Sequence, residues 1–139
     1  MASKDTRWMQ RFRNYQKALT QLSRFVGKKE LNEMEEQGLI QAFEYTFELA
    51  WKTLQDFLEE TSGYINVKGP RPVIMQAFQD GHINNGEKWM EMLLDRNRTT
   101  HTYNEEIAHE IITAIKNDYF DLLVILRDRL QKLVGSELN

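Results

Sequence analysis

The chain has 139 residues, 41% hydrophobic and 28% charged, a composition typical of one globular domain covering residues 1–139. The formal net charge of −3 argues against a protein whose whole surface binds nucleic acid, and the absence of cysteine excludes disulfides, thiol nucleophiles and cysteine metal sites. No apolar run reaches the roughly 18 residues that cross a membrane, and the first residues lack the apolar region of a secretory signal, so we expect a cytoplasmic protein.

The first half of the chain predicts two long amphipathic helices. Apolar side chains recur every three or four positions in residues 6–26, and Gly27 is placed to end that helix. After a short connection, the same period continues from about Met34 to Thr61, with additional apolar positions that indicate contacts on more than one side. The apolar positions in the two stripes are Trp8, Phe12, Tyr15, Leu19, Leu22 and Val26, then Ile40, Phe43, Phe47, Trp51, Leu54 and Leu58.

Two carboxylates on the second helix allow two interpretations. Glu44 and Glu48 lie one turn apart, and Lys52 follows a further turn on. Both can be solvated charges, with one ion pair four residues apart. Alternatively, one of them turns inward and orients a functional side chain as a supporting residue.

The middle of the chain predicts a short helix and the start of a longer one. Residues 62–71 form an irregular stretch, Pro72 suits the first turn of a helix through Asp80, and Gly81 follows as its stop. This helix would bury Val73 or Ile74, together with Ala77 and Phe78. Asn84 or Asn85 can cap the next helix, which carries Trp89, Met90, Leu93 and Leu94 and runs into Arg96.

The longest helix prediction covers the end of the chain. Asn104 is a suitable N-cap, and the acidic Glu105 and Glu106 follow in the first turn. The apolar stripe then runs for nearly eight turns through Ile107, Ile111, Ile115, Tyr119, Leu122, Leu126, Leu130 and Leu133. Because no segment of length alternates like a strand, we predict an all-α fold, an antiparallel four-helix up-and-down bundle with an additional short helix.

The segment between the last two long helices concentrates the polar chemistry of the chain. Arg96 and His101 would point about 140° apart on one unbroken helix, so they converge only where a helix ends between them. Thr99 and Thr100 are β-branched and can bond their own backbone, which favours such a break. We therefore predict a turn that aims Arg96, His101 and Tyr103 into one space.

These side chains suit metal-independent RNA cleavage, in which the 2′-OH of the substrate attacks the adjacent phosphate. His101 would move a proton, Arg96 would stabilise the charge on the phosphorane, and Asn97 could hold the guanidinium or the phosphate. Lys88 and Arg98 lie close in sequence and could add to a small basic site. The chain shows no phosphate-binding loop and no histidine spacing for a metal site, so we predict neither a cofactor nor a metal.

The segment Arg96-Asn97-x-x-x-His101-x-Tyr103 resembles the Arg-x4-His-x-Tyr motif of the HEPN superfamily. More narrowly, the chain resembles HepT-like proteins, also called nucleotidyltransferase substrate-binding proteins. The stretch at residues 43–52, Phe-Glu-Tyr-Thr-Phe-Glu-Leu-Ala-Trp-Lys, is similar to the second helix of that family. The resemblance covers roughly residues 6–134 and departs from the motif at none of its key positions.

The resemblance implies a homodimer whose two motif turns meet in a composite site. It implies an RNase toxin that acts on RNA, with Arg96, Asn97 and His101 as catalytic residues. From their positions in the sequence, Glu44, Glu48 and Arg98 are possible supporting residues. The resemblance also implies a minimal nucleotidyltransferase antitoxin as partner, which silences the toxin by transferring AMP to Tyr103. The alternative is a non-catalytic subunit that presents a surface or Tyr103 to a nucleotidyltransferase. A third option is a structural helical dimer in which Arg96 and His101 bond across the interface.

Overall fold

The computed structural model describes residues 6–138, and within that range the chain forms six α-helices and no strand. A 3₁₀ turn, Thr99–His101, follows the fourth helix, and a π-helical turn, Ile115–Tyr119, joins the last two helices into one rod. The predicted all-α fold is confirmed: four rods form the bundle, and α3 is the additional short helix. The helices are α1 (Arg7–Val26), α2 (Glu33–Ser62), α3 (Pro70–Gln79), α4 (Gly86–Arg98), α5 (Glu105–Ala114) and α6 (Phe120–Leu138).

Local sequence sets the ends of α1 and α2. The side chain of Thr6 caps α1, and Gly27 follows its last residue, as predicted. At the start of α2, the Asn32 side chain accepts a hydrogen bond from the backbone of Glu35 at 2.8 Å, and the Glu35 carboxylate accepts one from the backbone of Asn32 at 2.9 Å. This reciprocal pair satisfies two amide groups that a helix start leaves without partners. Gly63 ends α2 in the left-handed region at φ 75°, where a side chain would be strained.

The core lies where α1 and α2 face each other and the rod of α5 and α6 closes over them. The Tyr15 hydroxyl donates to the carbonyl of Leu123 at 2.5 Å and ties α1 to α6. Arg11 pairs with the buried Asp56 at 2.7 Å and holds α1 to the far part of α2. Large side chains fill the space between, and the fully buried ones include Trp8, Phe12, Phe43, Phe47, Trp89, Leu19, Leu22, Leu39, Leu54 and Leu58.

The π-helical turn corrects the prediction of one regular last helix. The buried positions Ile111, Ile115, Tyr119 and Leu123 are four residues apart, and four residues of an α-helix overshoot a full turn by about 40°. Three such steps would turn the stripe about 120° away from the core. The wider π turn absorbs this drift, so Leu123 is buried where the 3.6-residue period had predicted Leu122.

Helix α3 holds Pro72 in its first turn, as predicted, but its start and its buried face differ from the prediction. The helix begins at Pro70, two residues before Pro72, so both prolines lie in its first turn. Val73, Ile74 and Ala77 are buried as predicted, but Phe78 is 51% exposed. The ring of Phe78 lies over the backbone of Gly86, where an added Cβ would come within 3.0 Å of it. The aromatic ring therefore covers the start of α4 instead of entering the core.

Candidate functional site

The helix break predicted between Arg96 and His101 is confirmed. Helix α4 ends at Arg98 and the 3₁₀ turn follows directly. Thr99 is buried, and its hydroxyl lies 2.7 Å from the Arg96 carbonyl and 2.6 Å from the Glu44 carboxylate. The Asn104 side chain then caps α5 by accepting hydrogen bonds from the backbone of residues 106 and 107 at 2.9 and 3.2 Å. The turn is thus held to α2 on one side and to the start of α5 on the other.

Arg96 extends from the last turn of α4 towards α2. Its guanidinium forms an ion pair with Glu48, and its Nη1 donates to the side-chain oxygen of Asn97 at 3.0 Å. Glu48 also lies 3.8 Å from Lys52, in the i,i+4 arrangement. Both carboxylates of α2 therefore point towards the turn: Glu48 pairs with Arg96, and Glu44 accepts a hydrogen bond from Thr99. Glu48 also keeps the ion pair with Lys52 that the other interpretation predicted. Asn97 holds the guanidinium on its second side.

An open groove of about 420 Å³, here called the Arg96 groove, lies between α2 and the turn. One guanidinium faces two carboxylates there, so the isolated chain already neutralises the cation that would grip a phosphate. An incoming anion must displace or share the Glu48 contact, which lowers the intrinsic affinity for phosphate. Its lining consists of Gln41, Glu44, Tyr45, Glu48, Arg96, Asn97, Thr99 and Thr100.

His101 and Tyr103 lie outside the Arg96 groove, on the exposed tip of the turn. Their rings contact each other edge to face, with centroids 6.0 Å apart and planes at 70°. His101 is exposed and Tyr103 is 84% exposed. The structure thus gathers the predicted residues at one turn but divides them within a single chain: Arg96 and Asn97 face α2, whereas the imidazole and the phenol face solvent.

Arg98, predicted as a supporting residue, ties the turn to its neighbours instead of entering the groove. It donates to Asp95 at 3.0 Å and to Glu110 of α5 at 2.6 Å. The hydrogen bond to Glu110 is the main cause that raises the pKa of Arg98 above its ordinary value. Arg98 therefore links the end of α4 to α5, whereas the two preceding residues, Arg96 and Asn97, face α2.

Asp95 and Tyr119 form a contact that the sequence analysis missed. The Tyr119 hydroxyl donates to the Asp95 carboxylate at 2.5 Å, across 24 residues of sequence. Burial, followed by this hydrogen bond, raises the pKa of Tyr119 far above the usual tyrosine value. The apolar spacing of the last helix had predicted only that Tyr119 is a core residue. The one local indication of the contact was the acidic Asp95 directly before Arg96.

Lys88 does not contribute to a basic site. Its ammonium lies 3.2 Å from Glu91 and 3.3 Å from Asp118, and these hydrogen bonds raise its pKa. His109 is exposed as predicted and lies 3.6 Å from Glu36, while His82 packs edge to face on Phe57. Across residues 6–138, no group of histidine and acidic side chains has a metal-binding arrangement, and no helix combines the length and apolar character needed to cross a membrane.

Comparison with known proteins places this geometry in a wider context. The sequence model of the family described as nucleotidyltransferase substrate binding protein like matches residues 10–132. A curated relative from Haemophilus influenzae, named probable ribonuclease HepT, is 31% identical over 100 residues, which are 68% of each chain.

Solved structures share the fold. A protein from Thermus thermophilus is 35% identical, with a TM-score of 0.78 over 84% of this chain and 98% of that one. A second structure, from Haemophilus influenzae, is described as revealing the fold of a substrate binding domain of a nucleotidyltransferase. It is 24% identical, with a TM-score of 0.65 over 89% of this chain and 96% of the other.

Proposed function

From the premise that the chain belongs to the HepT-like family of nucleotidyltransferase substrate-binding proteins, we propose that it is a metal-independent endoribonuclease. The observation that carries the proposal is the turn itself, which holds a guanidinium on one side and exposes an imidazole and a phenol on the other. The name of the Haemophilus influenzae relative, a probable ribonuclease, supports the same chemistry. The motif residues Arg96, Asn97, His101 and Tyr103 are the residues we assign to it.

In the proposed reaction, His101 removes the proton from the 2′-OH, whose oxygen then attacks the adjacent phosphorus. The bond from phosphorus to the 5′-oxygen breaks, and that oxygen takes up a proton from water. The products are a 2′,3′-cyclic phosphate and a 5′-hydroxyl end. Arg96 stabilises the charge that develops on the phosphorane, and Asn97 keeps the guanidinium in place through its 3.0 Å contact.

The composite site follows from the division of these residues within one chain. Arg96 lies in the groove against α2, whereas His101 lies on the tip of the turn. Two copies related by a twofold axis would let the exposed His101 of one protomer face the Arg96 groove of the other. The exposure of His101 supports this arrangement, because the ring is free to meet a second chain.

Tyr103 is the proposed point of control in a toxin–antitoxin pair that acts in the cytoplasm. Its phenol is 84% exposed and holds no hydrogen bond among the described residues. A partner nucleotidyltransferase would transfer AMP from ATP, forming a bond between the phenol oxygen and the α-phosphorus with release of pyrophosphate. The added negative charge and bulk at the tip of the turn would exclude RNA from the shared site.

The test is cleavage of single-stranded RNA with a metal chelator present, followed by analysis of the ends. We expect 2′,3′-cyclic phosphate ends with the wild type and at least about a hundredfold loss with His101→Ala or Arg96→Ala. His109→Ala is the matched control, because it removes another exposed histidine in the neighbouring helix α5. Equal background cleavage by the wild type and His101→Ala would exclude the enzyme.

A second candidate function is a non-catalytic subunit that presents Tyr103 to a nucleotidyltransferase. The ion pair of Arg96 with Glu48 favours it, because a neutralised guanidinium grips phosphate poorly. The net charge of −3 points the same way. Growth arrest when the chain is expressed alone, relieved by Arg96→Ala, would favour the ribonuclease over this subunit.

A further inference from the structure

A second groove of about 470 Å³ runs between α1 and α2, and we call it the α1–α2 groove. It adjoins the Arg96 groove, because Gln41 and Tyr45 line both. Gly38, Tyr45 and Glu48 follow one another along the same side of α2, over about 15 Å of helix. A chain held at Arg96 would therefore continue naturally into this second groove.

The floor of the α1–α2 groove is apolar and its wall is aromatic. Ala18, Phe25 and Ala42 form much of the floor. Gly38 allows the Phe25 ring to lie against α2, since an added Cβ would come within 2.8 Å of that ring. Tyr45 is 61% exposed, and no hydrogen bond or ring contact engages it among the described residues. The ring of Tyr45 and the apolar floor beside it therefore form a flat surface on which a ligand can pack.

The rim of the α1–α2 groove is polar but carries little charge. Exposed amide side chains of Asn14, Gln21 and Gln41 surround the floor, and each offers both hydrogen-bond donors and an acceptor. Lys17 is the one charged residue in the lining that the structure describes, and no ion pair with a described carboxylate engages it. Lys17 thus contrasts with the cations at and near the turn, whose charges are all compensated by nearby acids: Arg96, Arg98 and Lys88.

We propose that the α1–α2 groove binds a nucleotide of single-stranded RNA next to the phosphate held at Arg96. The base stacks on Tyr45, the amides bond the base edge, and Lys17 pairs with a backbone phosphate. The proposal rests on the ribonuclease function, since the occupant is the RNA chain that leads out of the Arg96 groove. It assigns substrate recognition to α1 and α2, whereas the reacting groups lie on the turn.

The character of the groove favours RNA over a protein segment. An amphipathic helix needs a continuous apolar surface, and here amides and a cation surround a small floor. Larger exposed apolar side chains lie elsewhere, on α3 and α4, where Met75, Phe78 and Leu94 are each at least half exposed. Proteins that bind single-stranded nucleic acid commonly combine a cation for the phosphate with an aromatic ring on which a base stacks, and Lys17 and Tyr45 offer both.

The first experiment measures binding of a fluorescent single-stranded RNA to protein that carries His101→Ala, so that the RNA stays intact. Adding Tyr45→Ala should weaken binding at least about fivefold, because base stacking on an aromatic ring is lost. Tyr45→Phe keeps the ring and should bind like the parent. Phe78→Ala is the matched control, a half-exposed aromatic outside the groove. Far-UV circular dichroism verifies that each variant is folded.

The second experiment separates the phosphate contact from the base contact. Lys17→Ala should weaken binding and reduce the slope of log Kd against log salt by about one, as expected for one lost phosphate contact. Tyr45→Ala should leave that slope unchanged. RNA carrying a photoreactive uracil should crosslink within α1 or α2, and mass spectrometry locates the attached peptide.

Three results would overturn the proposal. The first is equal RNA binding by the parent and by Tyr45→Ala, and the second is cleavage with an unchanged KM when Tyr45→Ala is the only substitution. The third is a shift of Tyr45→Ala to a smaller species in analytical ultracentrifugation, which would make the groove an interface between protein chains. If the wild type cleaves RNA and Tyr45 has no effect, only this inference fails; if the wild type neither binds nor cleaves RNA, the proposed function fails with it.

Discussion

The Tyr119 hydroxyl donates a hydrogen bond to the Asp95 carboxylate at 2.5 Å, which links the π-helical turn to the residue directly before Arg96. Asp95 also accepts from Arg98 at 3.0 Å. Arg98 in turn donates to Glu110 of α5 at 2.6 Å, so the end of α4 is held both by the π-helical turn and by α5. The direction in which Arg96 leaves α4 depends on this support as well as on its own pair with Glu48.

Removing the hydroxyl should loosen the end of α4. We expect Tyr119→Phe to lower the free energy of unfolding by about 1–3 kcal/mol, because a buried hydrogen bond to a carboxylate is lost. Denaturant titration followed by circular dichroism measures the change. Tyr103→Phe is the matched control and should stay within about 0.5 kcal/mol of the wild type, since that side chain is 84% exposed. Equal effects of the two substitutions would contradict the role given to Asp95.

Neutralising Glu48 should release Arg96 for an external anion. We expect Glu48→Gln to tighten binding of RNA to the His101→Ala protein by about fivefold, since the competing carboxylate, which is partly buried, is worth about 1 kcal/mol. Fluorescence anisotropy at constant salt gives the comparison. Glu36→Gln is a control, because Glu36 lies beside His109 and outside the Arg96 groove. Weaker binding by Glu48→Gln would show instead that the carboxylate orients the guanidinium for its ligand.

Deleting Asn117 tests whether the π-helical turn sets the phase of α6. Asn117 is exposed, so its own side chain contributes little. A π turn holds one residue more than an α turn, so removing Asn117 should convert the π turn to a regular helix and leave the phase of α6 nearly unchanged. The buried side chains of α6 would then stay in the core, and we expect the stability to remain within about 1 kcal/mol of the wild type. Asn117→Ala should change stability by less than about 0.5 kcal/mol. A deletion variant that loses more than about 3 kcal/mol of stability would exclude this explanation, because it would show that the turn does not hold one extra residue.

His82 predicts a dependence of stability on mildly acidic pH. Burial lowers its pKa below the ordinary value near 6.5, and its ring packs on Phe57 with centroids 4.9 Å apart. Because the folded pKa lies below the unfolded one, the contribution of His82 is present above about pH 6.5 and is lost as the pH falls through the lowered pKa. Denaturation midpoints between about pH 7.5 and 5 should therefore decline less for His82→Gln than for the wild type. Parallel curves for the two proteins would contradict the prediction.

The sequence predicted the helices well because their ends depend on local chemistry. Asn32 and Asn104 cap helices through their own side chains, and Gly27 and Gly63 follow helix ends. The π-helical turn was missed because apolar spacings of four fit a helical stripe over a short distance. Over a longer distance, spacings of four rotate the apolar face away from the core, and this rotation becomes apparent only in the folded structure.

The site was predicted in part, for a similar reason. A break between Arg96 and His101 was predicted from local residues, and the structure confirms it and places it after Arg98. The pairing of Arg96 with Glu48 joins α4 to α2 across a long stretch of sequence, so the sequence left Glu48 open between a solvated charge and an inward one. The hydrogen bond of Tyr119 to Asp95 is likewise a long-range contact, which no local period describes.

The position of Tyr103 between the 3₁₀ turn and the capped start of α5 has a practical consequence. Its ring projects from a segment whose backbone is already anchored at both ends, by Thr99 and by Asn104. If the proposed transfer of AMP takes place at that hydroxyl, the bulky group would be attached without unfolding the segment. Control of that kind would require no refolding, and its speed would be set by how quickly the proposed partner enzyme reaches the tip of the turn.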